Sequence, residues 1–286
     1  MKLSVILPCF NAEKTLAVQL EALAQQEYSK AWEVVIADNG SCDRTLAIAH
    51  EYLAKLPNLQ IVDASYKPGA AHARNIGALV ARGEYLAFCD ADDEVAPGWV
   101  AAMGEALSKY DLVGGRDEHW KLNEPWIVQV FGCEEGSGIY NHPYLPMLSG
   151  NNLGVKRFLH EAIGGFDETL LQLEDVDYCW RLQQAGAKPY EVTDAVVHFR
   201  LRTSTMSICD RAWKMGCQEA VLYKKHRPIG MPQLISWKTL LKTGVMLPLR
   251  LLLQVRNKVT LVQCLMELAW RGGQLRGCIK YGYLPF

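Results

Sequence analysis

The sequence predicts an α/β fold with a mostly parallel sheet and crossover helices, and two observations carry that prediction. Short apolar runs recur through the first 110 residues, each bounded by a proline or an aspartate. Apolar residues at helical spacing fill the intervals between these runs. Strand and helix in alternation are typical of a parallel sheet wound with crossover helices. The predicted strands cover 3–7, 32–37, 59–63 and 85–89, and the predicted helices cover 12–26, 43–56 and 69–82.

The alternation stops after about residue 110. A strand is predicted at 112–115, whereas residues 118–148 are rich in Trp, Tyr, Pro and Gly and are expected to form a long irregular loop. A helix at 174–185 and a strand at 195–199 follow.

The C-terminal residues differ from the rest of the chain in charge. Residues 1–199 hold 15 basic and 28 acidic side chains (−13), whereas residues 200–286 hold 15 and 3 (+12), which gives the net charge of −1. We therefore divide the chain into an α/β domain at 1–205 and a basic, helical appendage at 206–286. Apolar helices interleaved with cations are predicted in the appendage at 208–226, 234–255 and 259–270.

Two kinds of partner fit this appendage. An anionic membrane surface would accept helices that lie in the plane of the interface, with cations beside apolar side chains. Alternatively, the helices pack on the α/β domain or on a second subunit. No 18 consecutive residues are uninterruptedly apolar, which disfavours a transmembrane span. Nucleic-acid binding would explain the cations but not the ordered acidic motifs of the first domain, so no nucleic-acid partner is expected.

Cysteine usage indicates a reducing compartment. The nine cysteines are scattered without CxxC spacing, and several lie in apolar runs. This is typical of reduced core thiols rather than of disulfides or a zinc site. The apolar run at the N-terminus is short and is followed by Pro8, which favours a strand over a signal peptide. We expect a cytoplasmic protein, held at the inner face of the cytoplasmic membrane by its basic residues.

Three carboxylates follow the apolar run 85–89 directly, at Asp90, Asp92 and Asp93. In extended chain Asp90 and Asp92 point the same way, and the C-terminal end of a strand is where open α/β proteins bind ligands. Hard divalent cations prefer carboxylate oxygens, so one interpretation is a metal site. The other is a turn or a helix N-cap, where Asp is also common.

Polar residues also follow the first two predicted strands, at Cys9-Phe10-Asn11 and at Asp38-Asn39-Gly40-Ser41. The ends of parallel strands share one edge of a sheet, so these groups are expected near the three carboxylates. Asp38 could accept a hydrogen bond from a base N–H or a ribose hydroxyl, or it could simply close a turn.

In order along the chain, the motifs resemble those of the nucleotide-sugar-dependent glycosyltransferases of family 2, which have the GT-A fold. The resemblance covers roughly residues 1–200 and departs at Asp38-Asn39, where the family often has two acids. Residues 200–286 match no family pattern. The stretches that carry the resemblance are 5–12, 34–45, 73–77, 83–93, 164–168 and 174–182.

The resemblance implies a site for a UDP-, dTDP- or GDP-linked sugar. Asp92 and Asp90 are similar to the family's DxD motif, which holds Mn²⁺ or Mg²⁺ on the donor diphosphate, with Asp92 the more direct ligand. His198 resembles a family histidine that reaches the metal or the diphosphate, although a lone His among apolar residues is often a core group. The residues expected on the nucleotide are Pro8, Phe10, Asn11, Asp38, Arg74 and Asp90.

The resemblance also implies an acceptor side. Asp175 matches the family's catalytic base, which would take the proton of a sugar hydroxyl. Glu174 and Trp180 belong to the same motif. Asn151 and Asn152 are expected either to line the acceptor pocket or to form a turn.

We therefore expect a metal-dependent, inverting transfer of one sugar to a polysaccharide or a lipid-linked acceptor, because no nucleophile for a double displacement is evident. One rival is a nucleotidyltransferase that makes the activated sugar. It would need a Gly-rich, basic first loop, and residues 8–13 contain neither Gly nor a cation. The other rival, a non-catalytic membrane scaffold with the same fold, would not need all of the acids.

Overall fold

The computed structural model describes residues 1–56, 58–132, 138–233 and 255–283, with four isolated positions between the last two ranges. The strands are β1 (Leu3–Cys9), β2 (Trp32–Asp38), β3 (Leu59–Asp63), β4 (Tyr85–Phe88), β5 (Glu94–Val95), β6 (Leu112–Glu118), β7 (Leu153–Lys156) and β8 (Pro189–His198). The helices are α1 (Leu16–Ala24), α2 (Thr45–Glu51), α3 (Ala70–Val80), α4 (Trp99–Lys109), α5 (Pro125–Phe131), α6 (Arg157–Ala162), α7 (Glu174–Gln184), α8 (Thr205–His226) and α9 (Lys258–Tyr281).

The strands form one mixed sheet in the order β3-β2-β1-β4-β7-β6-β8-β5. The pairings of β1 with β2 and β4, of β2 with β3 and of β6 with β8 are parallel. Strand β7 runs antiparallel between β4 and β6, and β5 pairs antiparallel with β8. Because β7 is reversed, its N-terminal end lies beside the C-terminal ends of its parallel neighbours.

Strands β1, β2 and β4 are almost wholly buried, as expected of parallel strands covered by helices on both faces. On one face Leu7 belongs to a cluster with Leu20 of α1 and Trp99 of α4. On the other face Ile6 belongs to a cluster with Ala78 of α3 and Tyr178 of α7. The two clusters fix the sheet, and with it the edge at which the strands end.

The α/β fold with crossover helices predicted from the sequence is confirmed, with local differences. Strand β1 continues through Pro8, which pairs with Ala37 of β2 and lies beyond the last residue pair with β4, Ile6 with Phe88. The stretch 118–148 is not irregular throughout, because it contains α5, which begins at Pro125. Strand β6 continues to Glu118 beyond its two glycines. Helix α4 and the short elements β5, β7 and α6 were not among the predicted elements.

The chain divides into two compact units, Met1–Lys121 with Glu135–Arg200 and Leu122–Glu134 with Leu201–Phe286. We predicted a boundary at residue 205, and the segment 122–134, assigned by sequence to the first domain, belongs to the second unit. The predicted helix at 234–255 lies outside the described residues, apart from isolated positions.

The described part of the second unit is built on a pair of long helices, α8 and α9. They approach so closely that a Cβ on Gly273 would lie 2.1 Å from the main-chain oxygen of Trp213. Only glycine is tolerated at such a contact. Helix α9 is also well capped, because Asn257 and Thr260 form a reciprocal capping box. In the ranges that the structure describes, no helix has the length and hydropathy needed to cross a bilayer.

The cysteines agree with the sequence prediction. The eight cysteines that the structure describes are all free. Four of them lie in the first unit, where Cys9, Cys89 and Cys179 are buried and Cys42 is exposed. Burial raises the pKa of the Cys9 thiol well above its ordinary value, which keeps it protonated and inert.

Candidate functional site

The candidate site is the edge of the sheet at which β1, β2, β4, β6 and β8 end and β7 begins. The sheet order places the groups that follow these strands side by side. Asp38 is the last residue of β2, Asp90 follows β4, and Asn151 precedes β7. Asp117 and His198 stand at the ends of β6 and β8. The fold therefore brings acids and amides from distant parts of the chain to one edge of the sheet.

Asp38 both closes a turn and keeps one oxygen for another partner. Its Oδ2 accepts from the backbone N–H groups of Gly40 (3.2 Å) and Ser41 (3.1 Å). Its Oδ1 is buried and has no hydrogen-bond partner. A buried carboxylate oxygen without a donor is costly, so Asp38 is arranged to receive a donor from a ligand.

The loop after β1 is fastened to the loop after β2 through Asn11. Its backbone N–H donates to Ser41 Oγ at 2.9 Å, and its Oδ1 accepts from Cys42 N at 2.9 Å. Asn11 has a positive φ of 49°, a conformation that Asn tolerates. The ring of Phe10 beside it is 62% exposed. The predicted nucleotide contacts Pro8, Phe10 and Asn11 thus adjoin Asp38, with Phe10 open to a ligand.

Asn39, where the family often has an acid, holds the next loop in place. Its amide nitrogen donates to the carbonyls of Ala64 and Lys67, and its Oδ1 accepts from Gly69 N. A carboxylate could accept but not donate, so the departure from the family pattern has a structural reason.

Asp90, Asp92 and Asp93 form a cluster whose ligand oxygens all lie within 4.8 Å of one another. Asp92 is exposed and Asp93 is buried. Burial, and then the charges of Asp92 and Asp90, raise the pKa of Asp93 well above its ordinary range. One oxygen of Asp93 accepts from the backbone N–H of Arg200, and the other is buried without a partner.

This cluster fits a hard divalent cation. Three carboxylates supply oxygen ligands of the kind that Mn²⁺ and Mg²⁺ take, and a cation would satisfy the unpartnered oxygen of Asp93. It would also relieve the repulsion that raises the pKa of Asp93. Asp93, which lies outside the Asp90–Asp92 pair that resembles the DxD motif, is thus a member of the candidate metal group.

Arg74 joins the acids of β4 to those of α7. Its guanidinium is 4% exposed and donates to Asp90 Oδ1 at 2.8 Å and to Glu174 Oε1 at 2.9 Å. Burial alone would lower the pKa of Arg74, but the two carboxylates raise it above its ordinary value. The cation therefore stays charged and holds Asp90 and Glu174 in fixed positions, while its buried Nε lacks a partner.

Asp175, the predicted base, begins α7 beside this pair. Its Oδ2 accepts from Gly150 N at 3.1 Å, and its Oδ1 accepts from Val176 N at 2.8 Å. A Cβ on Gly150 would lie 3.0 Å from the Asp175 Cβ and 3.3 Å from Arg74 Nη2, so the backbone comes close because residue 150 has no side chain. The site thereby brings the predicted base, Arg74 and Asp90 together.

Asp117 is a functional candidate that the sequence analysis missed. It is 5% exposed, and its two oxygens accept from Tyr140 Oη (3.0 Å) and Asn151 Nδ2 (3.1 Å). Burial raises the pKa of Asp117 to about 6, although these hydrogen bonds oppose the shift. The signal was the sequence Gly115-Arg116-Asp117: a strand extended past Gly115 would have placed Asp117 at the shared edge.

Three of the predicted site residues are placed differently from the others. His198 Nδ1 is 2.7 Å from Glu118 Oε2, and His198 is not in the metal group found among the described residues. Asn152 is 1% exposed and bonds Trp99, Arg116 O and Ala195 O. Trp180 is also 1% exposed, and its Nε1 donates to Leu145 O.

Asn152 and Trp180 are covered by the protein, and their polar atoms bond the main chain or another buried side chain. Their place on the acceptor side stays a prediction. Of the predicted acceptor residues, Glu174 and Asn151 adjoin the edge, through Arg74 and Asp117 respectively.

Comparison with known proteins agrees with this geometry. The family model "Glycosyl transferase family 2" matches residues 4–161. An uncharacterized glycosyltransferase of Escherichia coli K12, YibD, is 42% identical over 131 residues, which cover 46% of this chain. The chain spans 36% of the length of YibD in that match.

Two solved structures have a similar fold at 18% sequence identity. The mannosyltransferase PcManGT of Pyrobaculum calidifontis, in complex with GDP-Man and Mn²⁺, has a TM-score of 0.66 over 98% of this chain and 87% of its own. Residues 1–349 of S. aureus TarS, in complex with UDP-GlcNAc, give a TM-score of 0.59 over 99% and 92%. At this identity the likeness shows the fold alone.

Proposed function

The chain belongs to glycosyl transferase family 2, and from this premise we propose that it moves one sugar from a nucleoside-diphosphate donor to a polysaccharide or a lipid-linked acceptor, with inversion. The observation that carries the proposal is the pair of unpartnered, buried carboxylate oxygens on Asp38 and Asp93. Asp38 ends β2 and Asp93 lies in the segment after β4, so both belong to the edge at which the strands end. A nucleoside diphosphate with a divalent cation offers each of them a partner.

Asp38 would receive a donor group of the nucleobase or the ribose, with Phe10 and the backbone of Pro8 and Asn11 beside it. The donor is a UDP-, dTDP- or GDP-linked sugar. UDP-GlcNAc and GDP-Man are the ligands in the structures of TarS and PcManGT, whose fold is similar.

Asp92 would hold Mn²⁺ or Mg²⁺ directly, with Asp90 nearby and Asp93 completing the group. The bound metal supplies positive charge that stabilises a leaving diphosphate. Arg74, buried and charged, adds a fixed cation next to Asp90. We propose that His198 approaches the diphosphate. To do so it would have to leave its present contact with Glu118.

Asp175 would take the proton from the acceptor hydroxyl, because an alcohol is a poor nucleophile at neutral pH. The backbone N–H of Gly150 and the start of α7 fix its carboxylate. A base on the acceptor side and a metal on the diphosphate side suit a single in-line displacement, which inverts the anomeric carbon. Glu174 and Asn151 would border the acceptor.

The nucleotidyltransferase alternative has less support. Its triphosphate would need a Gly-rich, basic first loop, whereas Asn11 packs this loop against residues 41 and 42 without a cation. The non-catalytic alternative does not explain why two buried carboxylate oxygens lack partners.

The test is a donor screen. Purified protein with Mn²⁺ is incubated with UDP-, dTDP- and GDP-linked sugars, and release of the nucleoside diphosphate is measured. We expect turnover of at least one donor, abolished by chelation of the metal and by Asp92→Ala. If no donor turns over and Asp92→Ala leaves nucleotide binding unchanged, the proposal is wrong.

We also propose that the protein works in the cytoplasm at the inner face of the membrane. The balance of +12 over residues 200–286 supports attraction to anionic lipid. An acceptor carried on a lipid would be presented at that surface.

A further inference from the structure

The described part of the second unit has an apolar face on helix α9 that is accessible beside the contact with α8. The side chains of Leu261, Leu268, Leu275 and Ile279 are 40%, 39%, 45% and 75% exposed. Leu265 is half-buried between them. The side of α9 that packs on α8 is occupied by other residues, among them Val262, Gly273 and Cys278. Helix α9 is thus apolar on two separate faces.

The exposed residues form one continuous stripe. They follow the spacing 261, 265, 268, 272, 275 and 279, in which steps of four and three alternate. At 3.6 residues per turn these positions fall within about 80° of the circumference of the helix. We call them the α9 stripe.

The one gap in the α9 stripe, at Gly272, is filled from the neighbouring helix. A Cβ on Gly272 would lie 2.5 Å from the ring of Trp213 of α8, so the indole lies directly over the glycine. Trp213 is itself 37% exposed. Tryptophan with one edge packed and one edge accessible is typical of membrane–water interfaces.

Cations border the α9 stripe along one side. By the same helical geometry, Arg276 and Lys280 fall next to the stripe and are exposed. Lys258 falls there too and is exposed, with its Nζ 3.4 Å from the centroid of the Trp126 ring. The one acid in the sequence of α9, Glu267, falls on the opposite side of the stripe. The accessible surface of α9 therefore combines apolar residues with positive charge, the arrangement of helices that lie in a membrane interface.

We propose that the α9 stripe, with Trp213 and the bordering cations, is the surface by which this protein docks on anionic lipid. The occupant follows from charge complementarity. A second copy of α9 would bring its own cations against these, with one acid per helix to pair them, whereas anionic headgroups complement every one of the cations. This inference names the surface for the membrane association proposed above and does not depend on sugar transfer.

The experiment is co-sedimentation of the full-length protein with mixed phosphatidylglycerol–phosphatidylcholine vesicles. The wild type is expected to bind these vesicles and not those of phosphatidylcholine alone. The double variant Leu268→Glu with Ile279→Glu should lose at least about tenfold in partitioning, because it places charge in the stripe. Arg276→Glu and Lys280→Glu should each cost about fivefold, and less at high salt.

Leu79→Glu provides the matched control. Leu79 of α3 is 77% exposed in the first unit, so the same change of chemistry is made at a surface outside the stripe. This variant should partition like the wild type. Circular dichroism and thermal unfolding of every variant establish that it folds, as expected for changes at exposed positions.

Each other outcome overturns the inference in a distinct way. Failure of the wild type to bind anionic vesicles removes lipid as the occupant. Equal binding by the stripe variant, or an equal loss in Leu79→Glu, removes the stripe but leaves membrane association by another surface. If the wild type sediments as a dimer in solution and the stripe variant as a monomer, the stripe binds a second copy. Failure of sugar transfer appears separately, in the donor screen.

Discussion

An acid with hydrogen-bond partners in the second unit, Glu219, contrasts with two acids of the first unit, Asp38 and Asp93, that each keep an oxygen without a partner. In the second unit Glu219 of α8 is half-buried, and its Oε2 accepts from Gln274 Nε2 at 2.7 Å and from Trp270 Nε1 at 3.1 Å. In the first unit Asp38 and Asp93 each keep a buried oxygen without a partner. A satisfied acid holds two helices together, whereas an unsatisfied one is costly unless a ligand completes it. We therefore assign Glu219 to packing between helices, and Asp38 and Asp93 to ligand binding.

The largest expected effect comes from the metal group. Asp92→Asn removes one negative charge from the proposed metal site with almost no change in shape. We expect turnover with Mn²⁺ to fall by about a thousandfold, the scale of several kcal/mol of transition-state stabilisation. Release of nucleoside diphosphate measures it. Asp194→Asn, at an exposed acid of β8, is the control and should be neutral.

The next effect comes from the proposed base. Asp175→Asn keeps an oxygen that can accept from Gly150 but removes the basic group. We expect transfer to fall by about a hundredfold or more, while Mn²⁺-dependent nucleotide binding is unchanged. Kinetics and calorimetry on the same preparation separate the two. Loss of nucleotide binding together with turnover would contradict the role of base, because the residue would then belong to the donor site.

Asp117 is an intermediate case, since both of its oxygens have donors yet its pKa is raised to about 6. Between its ordinary pKa of 3.8 and about 6 the folded state binds the proton more tightly than the unfolded state. The free energy of unfolding should therefore fall by about 1.4 kcal/mol per pH unit over that interval, and level off above it.

The measurement for Asp117 is thermal or urea unfolding as a function of pH, compared with Asp117→Asn. The wild-type-minus-variant difference removes other titrating groups from the comparison, apart from those coupled to Asp117, such as Asp90. A difference that rises with pH would mean that hydrogen bonds from Tyr140 and Asn151 prevail over burial.

The smallest effect is expected in the second unit. Glu219→Gln keeps an oxygen that can accept from Trp270 and Gln274, so stability should change by less than about 1 kcal/mol, whereas Glu219→Ala should cost about 1–3 kcal/mol. Chemical denaturation measures both. Neither variant should change nucleotide binding. If Glu219→Gln abolished nucleotide binding, the inference that an acid with hydrogen-bond partners serves only packing would be wrong.

Much of the first unit could be predicted from the sequence, for physical reasons. Buried parallel strands are apolar throughout, so β1 to β4 stand out, and their ends identify Asp38, Asp90 and Asp92. Asp117 was missed because two glycines weaken the strand signal before it. The contact of Gly150 with Asp175 was not predictable, because it joins residues 25 apart through backbone geometry.

The acceptor side stays a prediction. Asn152 and Trp180 lie next to Asn151 and in the motif of Asp175, but neighbours in a motif can face opposite ways, and both turned inward. In the second unit the sequence indicated basic, apolar helices without identifying a face. The stripe on α9 became visible only once α8 was seen to cover the side next to it.

The most direct test of the central claim is Mn²⁺ binding followed by electron paramagnetic resonance, with and without UDP or GDP. The account predicts one bound Mn²⁺ per chain, bound more tightly when the nucleotide is present. Asp92→Asn should weaken binding by about tenfold or more, and Asp194→Asn should not change it. Equal Mn²⁺ binding by the wild type and Asp92→Asn, or no effect of nucleotide, would contradict a metal–diphosphate site at this edge of the sheet.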